Sequence, residues 1–277
     1  MKFENTVVMN FEGALRGMRN PLNSWAKSDS EFGIWCEHEN DETIYEVSNK
    51  WAEYALQNAT FATEEDYDKE FDRIASERYD WLWQQGAAII GIDHHYTLDL
   101  IGPNDMDLCR RLIHGGPEHR KFLRQIMVSL DITAPLFWWK EFDTYKVGTT
   151  ANSTSTMHKL ASTEISLDCF ETDDLYTDLH VVNEAPLADM SMTRFITDTM
   201  RYLEQLRQKY NETKDKRYWK ELIRWLPNGW LQTRTVTMNY ENLRSMAHQR
   251  MGHKLTEWHS FLEWVNTLPY AKELIID

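Results

Sequence analysis

The chain has 277 residues, 42% hydrophobic and 27% charged, a globular composition sized for one large domain. Its net charge of −14 at pH 7 excludes the broad basic face that nucleic acid requires, while local cations and backbone N–H groups still suit a small anionic ligand. No apolar stretch reaches the roughly 18 residues of a membrane span, and the opening MKFENTVVMNFEG lacks an apolar signal core.

Cys36, Cys109 and Cys169 are odd in number and far apart, which fits neither a disulfide framework nor a zinc site and makes a reducing cytoplasm the expected setting. Twelve tryptophans and twelve methionines point to a heavily aromatic core or to aromatic subunit contacts. No repeat or low-complexity tract is present, so residues 1–277 read as a single domain.

Residues 1–30 give no clear period, and Pro21 with Asn23 marks a turn. Residues 33–47 run into a polar loop, Glu37 to Thr43. Val47, Trp51, Tyr54 and Ala55 have helical spacing up to Leu56, and residues 64–84 predict a second helix with Phe71, Ile74 and Trp81 inward, ended by Gly86. Ala87 to Ile92 is a short apolar run. Pro103 to Ile113 reads as a helix with proline at its start and Gly115-Gly116 as its stop. Phe122 to Leu130 suits strand or helix, and Ala134 to Phe142 looks buried.

Gly148 to Met157 is small and polar, and residues 161–182 are acidic and loop-like. Met192 to Tyr210 is amphipathic, with Ile196, Met200, Leu203 and Tyr210 on one face. Trp219, Leu222, Ile223 and Leu226 make another helix, ended by Pro227. A third long helix is expected from Thr237 toward Met251, with Gly252 as an interruption before Leu255 to Leu262. The fold class is therefore α+β: a mainly helical C-terminal half packed on a small sheet supplied by the N-terminal half.

Three constellations could carry chemistry. Gly148 to Met157 holds six hydroxyls and an amide in ten residues, the groups a phosphate or a pyrimidine edge needs, although a solvated loop has the same composition. Asn239, Leu243, Met246 and Arg250, at i, i+4, i+7 and i+11, fall on one otherwise apolar helical stripe. A buried guanidinium there demands an anionic partner, either a ligand or an internal carboxylate such as Glu257 or Glu118. The two polar ends stand about 16 Å apart at about 1.5 Å per residue. The third is His114-Gly115-Gly116-Pro117-Glu118-His119, a helix end with a histidine, suited to a ligand wall or to a purely structural role. His94-His95 lacks a spaced third ligand, and His248, His253 and His259 share no face, so no metal site is expected. No phosphate-loop, dinucleotide or nucleophile-elbow motif is present, and no cysteine sits where a nucleophile is expected.

In this order the constellations resemble those of the flavin-dependent thymidylate synthases. That family reads R-H-R-x-x-S-x-N-x-x-S-x-R. Here Tyr145-Lys146-Val147 is followed by Thr150, Asn152, Ser155 and Met157, so the hydroxyl and amide positions match while the three arginines and the histidine do not. Leu226-Pro227, then Thr237-Met238-Asn239, Leu243 and Arg250 resemble its L-P, T-x-N, L and arginine. His114-Gly115 with Glu118-His119-x-x-Phe122, and Ala134-Pro135-Leu136-Phe137, resemble its H-G…E-H-x-x-F and A-P-I-F. The likeness spans residues 104–270, with residues 1–100 as a divergent N-terminal extension.

By that resemblance, His119, Asn152 and Asn239 would contact FAD. Lys146, Thr150, Ser153, Ser155, Lys159 and Arg250 would hold a pyrimidine deoxynucleotide, with Arg250 as the catalytic residue beside the ring. The resemblance implies reductive methylation of dUMP to dTMP, NADPH and methylene-tetrahydrofolate as co-substrates, a homotetramer, no enzyme cysteine attacking the ring, and neither nucleic acid nor membrane as a partner. Each lost arginine–phosphate contact removes about 1.5–3 kcal/mol. Lys146 and Lys159 offer point charges rather than forks. Two other readings stand beside this one: a flavin or nucleotide enzyme that makes a modified pyrimidine, and a non-catalytic nucleotide-binding homologue.

Overall fold

A computed structural model describes residues 1–37, 41–56, 59–88, 95–173, 175, 180–181 and 190–277. In chain order the elements are β1 (Lys2–Met9), α1 (Phe11–Arg19), β2 (Glu31–Glu37), α2 (Asp41–Leu56), α3 (Glu64–Ala88), β3 (His95–Leu100), α4 (Pro103–His114), β4 (Met127–Pro135) and α5 (Leu136–Phe142). There follow β5 (Thr150–Ser153), α6 (Thr156–Lys159), β6 (His180–Val181), β7 (Met190–Ser191), α7 (Met192–Thr213), α8 (Lys216–Arg224), β8 (Leu231–Asn239), α9 (Tyr240–Arg250) and α10 (Thr256–Asn266). Helix and sheet are thus mixed. A four-stranded sheet has the order β1-β4-β8-β5, and β2 pairs with β3, and β6 with β7, as antiparallel ribbons.

Strand β4 alternates strictly: Val128, Leu130, Ile132 and Ala134 are buried, and Ser129, Asp131 and Thr133 take the other face. That polar face is laced to β8 through cross-strand bonds, Thr133 Oγ1 with Thr233 Oγ1 at 2.7 Å and Thr235 Oγ1 donating to Asp131 at 2.5 Å.

The chain divides into two compact units: Met1–Glu4, Asp131–Lys146 and Ala151–Val236 form the first, and Asn5–Leu130, Val147–Thr150 and Thr237–Asp277 the second. In the first, Leu160, Ile165, Phe170, Leu203, Leu206 and Leu222 make a core that joins α7 and α8. Glu204 on α7 accepts from the Ile165 N–H at 3.0 Å and from both ends of the Arg207 fork. The α5 aromatics Trp138, Trp139 and Phe142 are buried against one another, with centroids 5.0–5.3 Å apart.

In the second unit, Phe11 sits edge-on to Tyr240 and Tyr270, and the Tyr240 hydroxyl donates to the Pro269 carbonyl at 2.6 Å. Asp105, fully buried, accepts from Arg19 Nε at 2.5 Å, Ser28 at 2.5 Å and Ser30 at 2.6 Å. Asp29 receives the Asn104 and Asp105 N–H groups, which caps α4.

Several expectations are corrected. The four-stranded sheet takes β5 and β8 from the C-terminal half, so the N-terminal half is not its only source. The helix expected from Thr237 starts at Tyr240, because Val236 and Met238 bury in strand alternation and Asn239 caps the helix. Gly86 does not end α3, which runs to Ala88. Helix α2 forms as the spacing predicts, and among its described side chains Ser48, Ala52 and Leu56 are buried and Ala55 is exposed. Of the polar loop Glu37 to Thr43, residues 38–40 lie outside the described residues, and β2 and α2 close in on them from either side. The apolar run to Ile92 and His94 likewise lie outside the described residues beyond Ala88. Among the described residues no helix is long and apolar enough to cross a membrane, and no three His, Cys, Asp or Glu side chains gather to hold a metal ion.

Candidate functional site

Helix α9 begins where β8 ends, and its cap explains why. Asn239 keeps extended backbone angles while its side chain accepts from the Asn242 N–H at 2.9 Å. The Asn242 side chain reciprocates on the Asn239 N–H at 3.3 Å, closing a capping box. Asn242 also donates through Nδ2 to the Val147 carbonyl at 2.6 Å. Gly148, at φ +77°, lies so close that a Cβ there would meet Asn239 Nδ2 and Asn242 Oδ1 at 2.9 Å. The next side chain, Thr149, has a buried Oγ1 with no hydrogen-bond partner among the described residues.

A third segment reaches the same turn. Arg120 Nε meets both oxygens of Glu241, the second residue of α9, at 2.9 and 3.0 Å, with both side chains largely buried. The Tyr240 N–H donates to the Ile126 carbonyl at 3.0 Å. The chain that carries His119 is thereby pinned to the start of α9. His119 itself is exposed, its N–H bound to the Gly116 carbonyl at 2.9 Å and its ring within 3.2 Å of where a Gly115 Cβ would be.

The other end of α9 carries Arg250, half-buried. Its Nη1 bonds His253 Nε2 at 3.1 Å, and its guanidinium carbon stands 4.5 Å from the centroid of the buried Trp258 ring. Between the two, Leu243 and Met246 are fully buried, as the stripe requires.

The stripe itself is as expected, but the demand placed on its ends is corrected. Asn239 is buried at 8% exposure, yet its carboxamide oxygen is used by its own helix, and Arg250 is half-buried and bonded to His253. Neither end therefore requires a ligand on grounds of burial alone.

The remaining predicted residues fall in two places. Thr150, exposed, belongs with Val147 to Thr149 in the second unit. Lys146, Asn152, Ser153 and Lys159, all exposed, and Ser155, half-buried, belong to the first. There β5 is the outer strand, and the Thr154 N–H donates to the Thr233 carbonyl at 2.9 Å. Gln232 Nε2 donates to the Thr154 carbonyl at 3.0 Å and accepts Arg234 Nε at 3.0 Å through its own Oε1. Arg234 also meets Asp143 at 2.6 Å and lies 4.1 Å over Trp139.

Asn242 and Arg120 escaped the sequence reading, which held Thr149 only as one of the hydroxyls of Gly148 to Met157 and weighed His253 only as a metal ligand. Asn242 had a readable signal, since an amide three residues after an N-cap is the capping-box spacing. Arg120 and Glu241 are 121 positions apart, which no local pattern shows. As for nucleophiles, Cys109 is fully buried, and burial pushes its thiol well above the ordinary range. Cys169 packs against the core of the first unit, with its sulfur 3.6 Å from the Glu164 carbonyl and 4.0 Å from Ser166 Oγ.

No family model and no curated protein matches the chain. Among solved structures it is similar to the flavin-dependent thymidylate synthase ThyX from Helicobacter pylori complexed with FAD and dUMP, at 12% identity, 88% of this chain, 97% of that one and a TM-score of 0.45. A second structure of ThyX from Helicobacter pylori with FAD and dUMP gives 11% identity, 90% and 96% coverage and a TM-score of 0.45. A UMP/dUMP methylase, PolB from Streptomyces cacaoi, bound with 5-Br UMP, gives 14% identity, 50% and 62% coverage and a TM-score of 0.37. Likenesses of this size carry neither the family nor the reaction over to this chain.

Proposed function

We propose that this chain is an enzyme of the flavin-dependent thymidylate synthase type, binding FAD and a pyrimidine deoxynucleotide, with dUMP to dTMP as its reaction. One observation carries the reading: three segments, singled out by the order of their motifs, meet on the first turn of α9. Val147–Thr150 arrives through Asn242, the His119 segment through Arg120, and the T-x-N motif supplies the cap itself. The sheet, in which β8 lies between β4 and β5, brings the segments before β4 and β5 to this turn, so the polar groups of all three motifs share one place.

The donor set suits the flavin. Its ring edge needs neutral donors and acceptors, and the turn offers the Asn239 amide nitrogen and the Thr149 hydroxyl, which is buried and has no partner among the described residues, with the exposed His119 one residue before Arg120. His119, Asn239 and Asn152 would hold FAD, which, when bound and reduced by NADPH, supplies a hydride to the pyrimidine while methylene-tetrahydrofolate supplies the carbon. Lys146, Thr150, Ser153, Ser155, Lys159 and Arg250 would hold the nucleotide in a homotetramer. Arg250 suits the ring: a guanidinium, always charged and 4.5 Å over Trp258, donates to a carbonyl oxygen that gains negative charge as the ring is attacked.

A second reading, a changed nucleotide or loss of catalysis, is favoured by Tyr145, Val147 and Met157 at the arginine positions. Two assays decide. Protein incubated with FAD and desalted should keep the flavin absorbance band, and the gene should restore growth to a thymidine-requiring strain. Flavin without growth favours the changed substrate. A colourless protein that restores nothing overturns the enzyme reading.

A further inference from the structure

Helix α9 ends at Arg250, and the chain does not run on from it. Gly252, at φ +72°, turns the backbone so that the His253 N–H comes back to the Arg250 carbonyl at 3.0 Å. This reversal lays the imidazole beside the guanidinium, with Nε2 3.1 Å from Arg250 Nη1. The Trp258 ring stands 6.2 Å away between centroids, and the Leu255 N–H lies 3.2 Å from Nδ1. A neutral imidazole accepts at only one nitrogen, and the charge-assisted bond from the guanidinium outweighs the longer one from an amide. The guanidinium thus lies over Trp258, with its carbon 4.5 Å from the ring centroid, and gives an Nη1 N–H to His253.

We propose that His253 is a positioning residue for Arg250, holding the guanidinium fork in the orientation in which it meets the pyrimidine nucleotide. The proposal rests on the reading that Arg250 contacts that nucleotide. An unrestrained arginine loses rotamer entropy when a ligand orders it, and a neighbour that orders it beforehand removes part of that cost. His253 touches no reacting atom in this role.

The test is calorimetric titration of dUMP into FAD-incubated protein for the wild type, Arg250→Ala, His253→Leu, His253→Gln and the double variant Arg250→Ala/His253→Leu, with an unfolding midpoint for each. His253→Leu should weaken dUMP about tenfold with an unchanged midpoint, and His253→Gln, which restores an acceptor oxygen, should recover most of that loss. In the Arg250→Ala background His253→Leu should cost nothing more, because the group it positions is gone. Should Arg250→Ala itself leave dUMP affinity unchanged, the reading of Arg250 fails. Should Arg250→Ala weaken binding while His253→Leu matches the wild type, or adds its full effect in the double variant, the positioning role is overturned.

Discussion

Gly148→Ala tests whether the loop before β5 is truly seated on the α9 cap. Gly148 has φ +77°, so an alanine pays the left-handed backbone cost, about 1–2 kcal/mol. Its Cβ would also stand 2.9 Å from Asn239 Nδ2 and from Asn242 Oδ1, nearer than any tolerated contact. Either the loop lifts or the two amides move. Lifting breaks the 2.6 Å bond from Asn242 to the Val147 carbonyl, worth about 0.5–1.5 kcal/mol. Moving the amides disturbs the capping box, worth about 1 kcal/mol. The expected total is about 3 kcal/mol.

Gly252 and Gly116 supply the controls, since both have positive φ, +72° and +97°, and nothing within 4 Å of an added Cβ. Gly252→Ala and Gly116→Ala should therefore cost only the backbone part. Urea unfolding at constant m-value gives the three differences directly. A Gly148→Ala loss equal to that of Gly252→Ala would refute the seating of the loop on the cap.

Asp105→Asn should destabilise the protein by about 3–5 kcal/mol in the same assay, because it leaves the buried Arg19 guanidinium without its charge partner. Arg120→Ala should cost about 1–3 kcal/mol, since Glu241 loses a two-pronged partner at largely buried positions, and FAD retention should fall with it. Glu204 is held at about 2 by its bonds from Arg207, below its ordinary 4.5. Its stabilising effect is therefore complete above about pH 4.5 and fades as pH falls toward 2, and Glu204→Gln should flatten the thermal midpoint across that window.

Local signals were readable where one element settles its own boundary. Pro103 and the Gly115-Gly116 pair bracket α4, and the apolar faces of α7 and α8 lie where Leu203 and Leu222 bury. The boundary between β8 and α9 was not readable, because Thr237 to Asn239 fits helical spacing as well as strand alternation. Only the pairing of β8 with β4 decides between them. Strand β1 was hidden for the opposite reason: it buries no residue fully and shows no apolar alternation. At the site, the Leu243–Met246 stripe and its two polar ends followed from period alone. The partners of those ends did not, since the Arg120–Glu241 pair, the Val147 contact and the reversal that brings His253 to Arg250 are made by tertiary structure and by a left-handed glycine.

The most direct measurement is flavin retention by Asn239→Asp beside the wild type. Aspartate caps a helix as well as asparagine, so Oδ1 still accepts from the Asn242 N–H and the unfolding midpoint stays where it was. The amide nitrogen, the donor proposed to face the flavin, becomes a carboxylate oxygen that can only accept. The expected result is a wild type that keeps FAD through desalting and an equally stable variant that does not. Equal FAD retention by both proteins would contradict a ligand site at the first turn of α9.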